Sequence, residues 1–213
     1  MMLFLVTAGV AAYLIGSVNF SILLSRIIEG KDIRKSGSGN AGATNMLRTY
    51  GKKMGIITLV LDILKGVVCV LLAKLIAASI LNEDAAETAA YIAGVCAILG
   101  HNFPLYFGFK GGKGVATSLG VVLVLDWKIG LIVAAAAIII MALTKYVSLG
   151  SVIGGAAFVA AEVIKGAAEG SLFSLQTLCA AIIGILLIAR HHANIKRLIN
   201  GTENKLSFKG GKK

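Results

Sequence analysis

Charge and proline are scarce in this chain of 213 residues. Asp, Glu, Lys and Arg together make up only 15% of it, Pro104 is the single proline, and 57% of the residues are hydrophobic. A soluble domain needs more polar surface than this, so the composition indicates an integral membrane protein. Because one membrane span uses about 20 residues, the length predicts a single domain, residues 1–213, with roughly six to eight spans.

Clustered metal ligands are also absent from the sequence. Cys69, Cys96 and Cys179 each lie alone within an apolar run, and no group of Cys, His or carboxylate residues has the spacing of a zinc site. We therefore expect three buried, inert thiols, no metal and no organic cofactor.

The formal net charge is strongly positive, at +11. A charge of this size is typical of nucleic-acid-binding proteins when the basic residues share one solvated face. Here the basic residues are distributed over the connections between apolar segments, and membrane topology explains that pattern. We therefore expect membrane lipid, and no nucleic acid, as a partner.

Seven apolar stretches predict an all-α, polytopic membrane helix bundle, because a helix satisfies its own backbone hydrogen bonds in lipid. The first has no basic n-region and is longer than a signal-peptide core, so we expect it to be retained. Only Asp126-Trp127-Lys128 separates the fourth stretch from the fifth, and the fourth is short for a full crossing. A re-entrant pair, with five or six spans in total, is the alternative. The seven predicted transmembrane helices lie near residues 3–28, 54–80, 88–106, 115–126, 128–145, 148–166 and 173–190.

Lysine and arginine residues follow the first, third, fifth and seventh stretches, whereas the other connections are acidic. The positive-inside rule places the basic connections in the cytoplasm, with the N-terminus outside and the C-terminus cytoplasmic. The basic residues include Lys31, Arg34, Lys35, Lys110, Lys145, Lys209, Lys212 and Lys213, and the acidic ones include Glu83, Asp84, Asp126 and Glu169.

The first cytoplasmic connection, about residues 31–53, combines glycines with small polar side chains and contains Arg48. Glycines allow successive backbone N–H groups to turn toward one point, and an arginine adds a planar charged donor, so the segment suits an anion. A flexible loop with snorkelling basic residues is the alternative, but the density of small donors favours the anion site. These donors are Ser36, Gly37, Ser38, Gly39, Asn40, Gly42, Thr44 and Asn45.

The second connection, about residues 107–114, is glycine-rich and leads into a predicted helix. Such a turn presents unpaired backbone N–H groups and the positive end of the helix dipole, and Lys113 adds a mobile charge, so the segment favours phosphate. It is not a Walker A loop, because Phe107 stands where the first glycine is required and Gly114 follows Lys113. The sequence gives no support for nucleotide binding.

The third segment, about residues 190–205, follows the last predicted span. Helical spacing places Arg190, Asn194 and Arg197 on one face, and His191 precedes Asn194 by three residues. An interfacial amphipathic helix is the alternative to a functional site here. That alternative explains the cations but does not require His191, Asn194 or Glu203.

Three ionisable residues lie within or beside the predicted spans. Asp62 and Lys65 are three residues apart in the second span, and His101 ends the third. Ionisable groups at such depth are usually paired and face the bundle or a water-filled cavity. A structural pair and a functional role both fit Asp62 and Lys65, whereas we expect His101 to form a hydrogen bond at the helix end.

Together these segments closely resemble the PlsY family of bacterial membrane glycerol-3-phosphate acyltransferases. The matching residues keep the order and spacing of that family through all three cytoplasmic segments, and the hydropathy pattern extends the resemblance over nearly the whole chain. The matching stretches are Ser38-Gly39-Asn40-Ala41-Gly42-Ala43-Thr44-Asn45 with Arg48, Gly100-His101-Asn102-Phe103-Pro104, Phe109-Lys110-Gly111-Gly112-Lys113-Gly114-Val115-Ala116-Thr117, His191-His192-Ala193-Asn194-Ile195-Lys196-Arg197-Leu198 with Gly201 and Glu203, and Leu61-Asp62-Ile63-Leu64-Lys65-Gly66 in the second span.

The resemblance implies transfer of a fatty acyl group from acyl phosphate to the 1-hydroxyl of glycerol 3-phosphate, which gives lysophosphatidic acid and phosphate. It implies a multi-pass protein of the bacterial cytoplasmic (inner) membrane with its active site facing the cytoplasm and with no obligate protein partner. The catalytic residues by resemblance are Ser38, Arg48, Lys113, His191 and Asn194, and the substrate-binding residues are Gly39, Asn40, Gly42, Thr44, Asn45, Gly111, Gly112, Ser148 and Glu203.

The roles of these residues also follow from the resemblance. Arg48 and Lys113 neutralise phosphate, Ser38 and its neighbours hold the acyl phosphate, and His191 and Asn194 orient glycerol 3-phosphate. The proton of the attacking hydroxyl goes either to His191 or to a phosphate oxygen of the substrate. Neither an H-x-x-x-x-D arrangement nor a Gly-x-Ser-x-Gly elbow occurs, so the sequence does not indicate a site for acyl carrier protein or coenzyme A.

An anion transporter and a purely structural scaffold are the competing hypotheses. Transporters commonly show internal repeats and broken helices near the bilayer midplane, whereas here the polar motifs lie at one membrane face and no repeat is apparent. A scaffold leaves the glycine-rich donor segments without a role. The sequence therefore favours an enzyme.

Overall fold

The computed structural model describes residues 1–206, and the regular secondary structure in this range is entirely helical. Lys209, Lys212 and Lys213, which belong to the predicted cytoplasmic C-terminus, lie outside the described residues. The described α-helices are α1 (Met2–Gly16), α2 (Phe20–Glu29), α3 (Ala43–Ile80), α4 (Glu83–Asn102), α5 (Val115–Leu125), α6 (Trp127–Thr144), α7 (Val147–Ala168), α8 (Leu175–Arg190) and α9 (His192–Ile199).

Five helical stretches of residues 1–206 are long and apolar enough to cross a membrane, namely Met2–Glu29, Ala43–Ile80, Glu83–Phe107, Trp127–Thr144 and Val147–Ala168. Helices α8 and α9 together make a sixth candidate, although the chain bends by 57° between them. Helix α5 occupies the fourth predicted span, but its 11 residues are fewer than a full crossing requires. The all-α membrane bundle is thus confirmed with five or six candidate spans. The number seven and the orientation of the termini stay predictions.

Close contact between α1 and α4 depends on glycine. A Cβ atom on Gly16 would lie 2.2 Å from the carbonyl oxygen of Ala97, and one on Gly100 would lie 2.3 Å from that of Tyr13. Small residues allow helix backbones to approach in this way within a membrane. Asn19 then accepts a hydrogen bond from the Ile22 N–H (3.2 Å) and begins α2, so the first span is divided into two helices.

Helix α3 is broken at Gly51, whose φ of 82° lies in the left-handed region. The chain bends so sharply there that a Cβ atom on Gly55 would lie 2.7 Å from Cβ of Leu47. The first two turns of α3, which carry the end of the first cytoplasmic segment, therefore fold back against the apolar part of the same helix.

Helices α3, α4 and α5 form the centre of the bundle. A Cβ atom on Gly66 of α3 would lie 2.4 Å from the Thr117 carbonyl oxygen, and one on Gly120 of α5 would lie 2.1 Å from that of Ile63. The buried alanines of α4 pack between α1, α3 and α8. Large apolar side chains on the outer faces, such as Leu143 and Phe173, are exposed, as expected for surfaces that contact lipid.

Candidate active site

The three predicted segments meet around one cavity of about 900 Å³ at an end of the bundle. The first segment precedes α3 and continues into its first turns, the second leads into α5, and the third follows α8. Every predicted site residue except Gly112 lines the cavity. The predicted lining residues are Ser38, Gly39, Asn40, Gly42, Thr44, Asn45, Arg48, Gly111, Lys113, Ser148, His191, Asn194 and Glu203.

Asn45, in the first turn of α3, determines the path of the first segment. Its side-chain carbonyl accepts a hydrogen bond from the Ser38 N–H (2.8 Å). Its amide group donates to the carbonyl oxygens of Ile33 (3.2 Å), Ser36 (3.0 Å) and Asn40 (3.0 Å). These contacts use both ends of the Asn45 amide to build the loop, so this residue positions neighbours that line the cavity.

Gly37 allows the loop to wrap around Asn45. Its φ of 57° is in the left-handed region, and a Cβ atom would lie 2.3 Å from Oδ1 of Asn45 and 2.9 Å from Oγ1 of Thr49. A side chain here would therefore displace the hydrogen bonds of Asn45 as well as strain the backbone.

Arg34 joins the first segment to the second. Its guanidinium group donates to the carbonyl oxygens of Phe107 (2.8 Å) and Lys110 (2.7 Å), and it forms a two-point ion pair with Asp32. The hydrogen bond from Arg34 is the main reason that the pKa of the Asp32 carboxyl lies well below its usual range. The sequence identified Arg34 only as a basic residue that orients the chain.

Gly111 and Gly112 pack against the C-terminal end of α4. A Cβ atom on Gly111 would lie 2.0 Å from the His101 carbonyl oxygen, and one on Gly112 would lie 2.3 Å from Nε2 of His101. The Gly111 N–H donates to the carbonyl oxygen of Asn102 and the Gly112 N–H to that of His101, both at 3.2 Å. The expectation of unpaired N–H groups is therefore wrong at these two glycines, because the tight turn directs them into the protein.

Arg190 holds the opposite side of the same turn. Its guanidinium donates to the carbonyl oxygen of Gly112 (2.9 and 3.1 Å) and of Gly111 (3.3 Å). The donors that this segment keeps for an anion are thus Lys113 and the first turn of α5, whose leading N–H groups have no acceptor within the helix. The end of α8 is fixed to the second segment by the same contact.

Glu203 is the hydrogen-bond acceptor at the centre of the third segment. Its Oε1 accepts from Asn194 (2.7 Å) and Ser148 (3.0 Å), and its Oε2 accepts from Nε of Arg197 (2.7 Å). Burial raises the pKa of the carboxyl, but the hydrogen bonds from Asn194, Arg197 and Ser148 outweigh it, so the pKa lies below its ordinary value. Glu203 is therefore ionised and connects α7 to α9.

Lys113 donates a hydrogen bond to Oδ1 of Asn194. Burial lowers the pKa of the Lys113 ammonium to about 8; Glu203 opposes this shift, while Arg197, Arg48 and Arg190 add to it. Because burial and the neighbouring arginines disfavour the charged form of Lys113, an anion that binds beside it stabilises that form.

Cations outnumber carboxylates around Glu203. Arg48, Lys113, Arg190 and Arg197 all line this end of the cavity, and Arg48 also donates to the carbonyl oxygen of Asn204 (3.2 Å). Lys52 is a fifth cation of the lining, and the only other carboxylate there among the described residues, Asp62, is paired with Lys65. The net positive charge therefore favours negatively charged groups such as phosphate.

His191 is buried at the N-cap position of α9 and lines the cavity. Its Nδ1 lies 2.8 Å from the carbonyl oxygen of Leu187, and because a carbonyl only accepts, Nδ1 carries the proton. Nε2 of the neutral ring is then an acceptor. The neighbouring His192 is exposed and bonds only to the Ala189 carbonyl, so the two adjacent histidines differ in position.

An apolar arm extends from the polar end between α3, α5, α6 and α7. Small residues of α6 and α7 line it, and the rim includes large apolar side chains that are exposed on the outer surface of the bundle. The small residues are Gly130, Ala134, Ala137, Gly150 and Gly154, and the exposed rim residues are Ile56, Leu59 and Ile138. No sequence motif encodes the lining of this arm, although the glycines at positions 150 and 154 indicate close helix packing there.

The fold and the cavity define a class, namely a helical membrane protein whose cavity joins a cationic end to an apolar arm. Over the described residues, no three His, Cys, Asp or Glu side chains come close enough together to hold a metal ion.

Comparison with known proteins identifies the family. A family model described as glycerol-3-phosphate acyltransferase matches residues 6–201. The glycerol-3-phosphate acyltransferase of Clostridioides difficile is 44% identical over 205 residues, which cover 94% of this chain and 95% of that protein. The one from Thermoanaerobacter pseudethanolicus is 42% identical over 208 residues, which cover 97% and 98%.

Solved structures agree with the sequence comparison. The integral membrane glycerol 3-phosphate acyltransferase PlsY, in its glycerol 3-phosphate form, matches with a TM-score of 0.82 and 36% identity over 95% of this chain and 96% of that one. Its lysophosphatidic acid form matches with a TM-score of 0.77 and 34% identity over 96% of each chain. The chain therefore belongs to the glycerol-3-phosphate acyltransferase family, and the predicted resemblance to PlsY is confirmed.

The central role of Asn45 leads to a stability prediction. Asn45→Asp keeps the shape of the side chain but replaces an amide donor by a carboxylate, which faces three carbonyl oxygens. Because buried acceptors lose their donor, we expect the free energy of unfolding to fall by about 3 kcal/mol or more, measured by thermal unfolding in detergent.

The exposed Asn200 provides the matched control. Asn200→Asp makes the same chemical change outside the loop and should leave the unfolding temperature close to that of the unmodified protein. Equal unfolding temperatures for the two variants would show that Asn45 does not organise the first segment.

Proposed function

We propose that this protein transfers a fatty acyl group from acyl phosphate to the 1-hydroxyl of glycerol 3-phosphate, forming lysophosphatidic acid and phosphate. The observation that carries the proposal is the continuity of one cavity from a cationic end to an apolar arm. Both substrates bear phosphate, and one also bears an apolar chain, so each half of the cavity matches a part of them. Membership of the glycerol-3-phosphate acyltransferase family supports the acceptor.

Two anionic groups have to be held side by side for this reaction. Arg48 and Lys113 approach the cavity from the first and second segments, and Arg190 and Arg197 from the third. We assign Arg48 and Lys113 to neutralising phosphate, because a guanidinium and a mobile ammonium suit anions that must enter and leave. The N–H groups at the start of α5 add uncharged donors on the same side.

The reaction requires little covalent chemistry from the protein. The 1-hydroxyl oxygen forms a bond to the acyl carbon, and the bond between that carbon and the phosphate oxygen breaks, with the electron pair leaving on phosphate. An acyl phosphate already has a good leaving group, so positioning and charge stabilisation are the main requirements. The hydroxyl proton goes either to Nε2 of His191 or to a phosphate oxygen of the substrate.

The remaining assignments concern position in the cell. We propose seven transmembrane helices in a bacterial cytoplasmic membrane, with the N-terminus outside and the active site facing the cytoplasm. The basic residues around the cavity support this orientation under the positive-inside rule, as do the acidic residues at the opposite ends of α3 and α4. The proposal, as the resemblance implies, includes no cofactor and no obligate protein partner.

The decisive experiment incubates the purified protein with acyl phosphate and glycerol 3-phosphate. We expect phosphate and lysophosphatidic acid to form in equal amounts. Absence of turnover would reject the proposed reaction. Formation of lysophosphatidic acid from acyl coenzyme A but not from acyl phosphate would reject the donor while leaving the acceptor in place.

Variants of the two assigned cations test the site itself. Arg48→Ala and Lys113→Ala should each lower kcat/KM by about 10²-fold or more, because each removes a charged donor to phosphate. Lys128→Ala removes an exposed cation near the other end of the bundle and should leave the rate unchanged. Near-normal activity of either site variant would remove that residue from the site.

The pKa of Lys113 makes the activity dependent on pH. Because burial lowers this pKa to about 8, the free enzyme loses the ammonium charge as the pH rises through 8. We expect kcat/KM for glycerol 3-phosphate to fall on the alkaline side with an apparent pKa near this value. In Lys113→Arg the guanidinium stays charged, so the ratio of activity at high and neutral pH should increase. An identical alkaline limb in both proteins would exclude Lys113 as its cause.

Thiol labelling tests the orientation. An impermeant reagent added outside intact cells should label Glu83→Cys but not Lys110→Cys, since the two positions are exposed at opposite ends of the bundle. The unmodified protein is the control for Cys69, Cys96 and Cys179. Labelling of Lys110→Cys alone would reverse the proposed topology.

A further inference from the structure

Asp62, Lys65 and His101 form a buried ionic cluster behind the polar end of the cavity. Nζ of Lys65 lies 2.7 Å from Oδ1 of Asp62, 2.9 Å from Nδ1 of His101 and 2.9 Å from the Val18 carbonyl oxygen. The exposed fractions of the three side chains are only 1%, 3% and 4%. Asp62 and His101 nevertheless line the cavity, so the cluster is enclosed by the bundle and open to the substrate side.

The position of Lys65 determines which nitrogen of His101 carries a proton. An ammonium group has three donors and no acceptor, and Asp62 provides the opposite charge that keeps it ionised. Nδ1 of His101 lies 2.9 Å from this ammonium and 3.5 Å from Oδ1 of Asp62. Because the ammonium is the nearer group and can only donate, Nδ1 accepts its hydrogen bond. The neutral imidazole then has its proton on Nε2, on the far side of the ring from Lys65.

Nε2 of His101 lies where the first and second segments meet. A Cβ atom on Gly112, which belongs to the second segment, would lie 2.3 Å from Nε2 of His101 and 2.4 Å from the carbonyl oxygen of Ala41 in the first segment. Hydrogen bonds within residues 1–206 leave Nε2 without a partner, while Nδ1 is bonded to Lys65. A side chain at position 112 would collide with Nε2, so the glycine leaves the space beside this nitrogen open.

We propose that His101 is an uncharged hydrogen-bond donor to an oxygen of the acyl donor, and that Lys65 and Asp62 are positioning residues that fix its tautomer. The oxygen is either the reacting carbonyl oxygen, where negative charge develops, or a phosphate oxygen. His101 lines the same cavity as the cationic residues and the apolar arm, and the reacting carbonyl is the part of an acyl phosphate that joins its phosphate to its chain. The inference rests on the proposed function for the identity of that substrate.

A pair of substitutions separates this role from a structural one. His101→Asn keeps an acceptor near Lys65 but does not extend to the position of Nε2, whereas the longer amide of His101→Gln places an N–H near that position. We expect kcat to fall by about 10²–10³-fold in His101→Asn, the usual loss for one donor to a developing oxyanion, and by less in His101→Gln. A residue that only packs or bonds to Lys65 would give the opposite order.

The kinetic constants identify the oxygen. A fall in kcat with an unchanged KM for acyl phosphate indicates the reacting carbonyl, and an increase in that KM with an unchanged kcat indicates phosphate. Wild-type rates in both variants would overturn the proposal without affecting the proposed function, which depends on turnover by the unmodified enzyme.

A measurement on the unmodified protein covers the case in which the variants do not fold. NMR of protein with isotope-labelled histidine nitrogens should show His101 protonated at Nε2 and not at Nδ1. Its Nε2 signal should move when a non-hydrolysable acyl phosphonate is added and stay in place with glycerol 3-phosphate alone. A proton on Nδ1, or no response to the phosphonate, would reject the assignment.

Discussion

The packing of the Gly111–Gly112 backbone against the end of α4 is the constraint on which the rest of the site depends. No side chain fits at either glycine, so the turn has one position relative to the bundle. Arg190 bonds to the carbonyl oxygens of that turn, and Lys113 follows directly from it toward Asn194. A turn placed slightly further from α4 would therefore separate the second segment from the third and leave Lys113 without its hydrogen-bond partner, Asn194.

Glu203 reduces the repulsion among the cations that this arrangement brings together. Several cations near an apolar bundle repel one another and are poorly solvated, and burial alone already disfavours the charged form of Lys113. One carboxylate that is shared among Arg197, Asn194 and Ser148 reduces the repulsion without cancelling the positive charge. The cationic end of the cavity thus retains a deficit of negative charge that an anionic ligand can supply.

The positions of the functional segments could be predicted because glycine, small polar and basic residues are rare elsewhere in so apolar a chain. The hydrogen-bond partners of the residues in these segments could not be predicted from the sequence. Asn45 bonds to its own loop, and the N–H groups of Gly111 and Gly112 turn inward, because the same groups can serve an anion or a backbone carbonyl. Which of these they serve depends on the three-dimensional path of the chain.

Other features of the fold are only weakly indicated by the hydropathy pattern. The break at Gly51 changes the direction of α3 through one residue and is not evident from a hydropathy pattern. Helix α5 is as apolar as a full span, and only the shortness of its apolar stretch distinguishes it from one. The sequence identified Arg34 only as a basic residue that orients the chain in the membrane. Its hydrogen bonds to the carbonyl oxygens of Phe107 and Lys110 could not be predicted, because these residues are distant from it in sequence. Long-range backbone contacts of this kind appear only when the helices are packed.

The exposed rim of the apolar arm has a consequence for the energetics of turnover. Moving an acyl chain into water costs about 0.8 kcal/mol for each CH₂ group. Ile56, Leu59 and Ile138 open the arm toward the lipid-facing surface, so a chain that leaves sideways exchanges one hydrocarbon environment for another. For the proposed product, release in this geometry would be diffusion in two dimensions: the polar head would detach from the cations while the tail stays in the bilayer, where the enzyme of the next reaction can bind it.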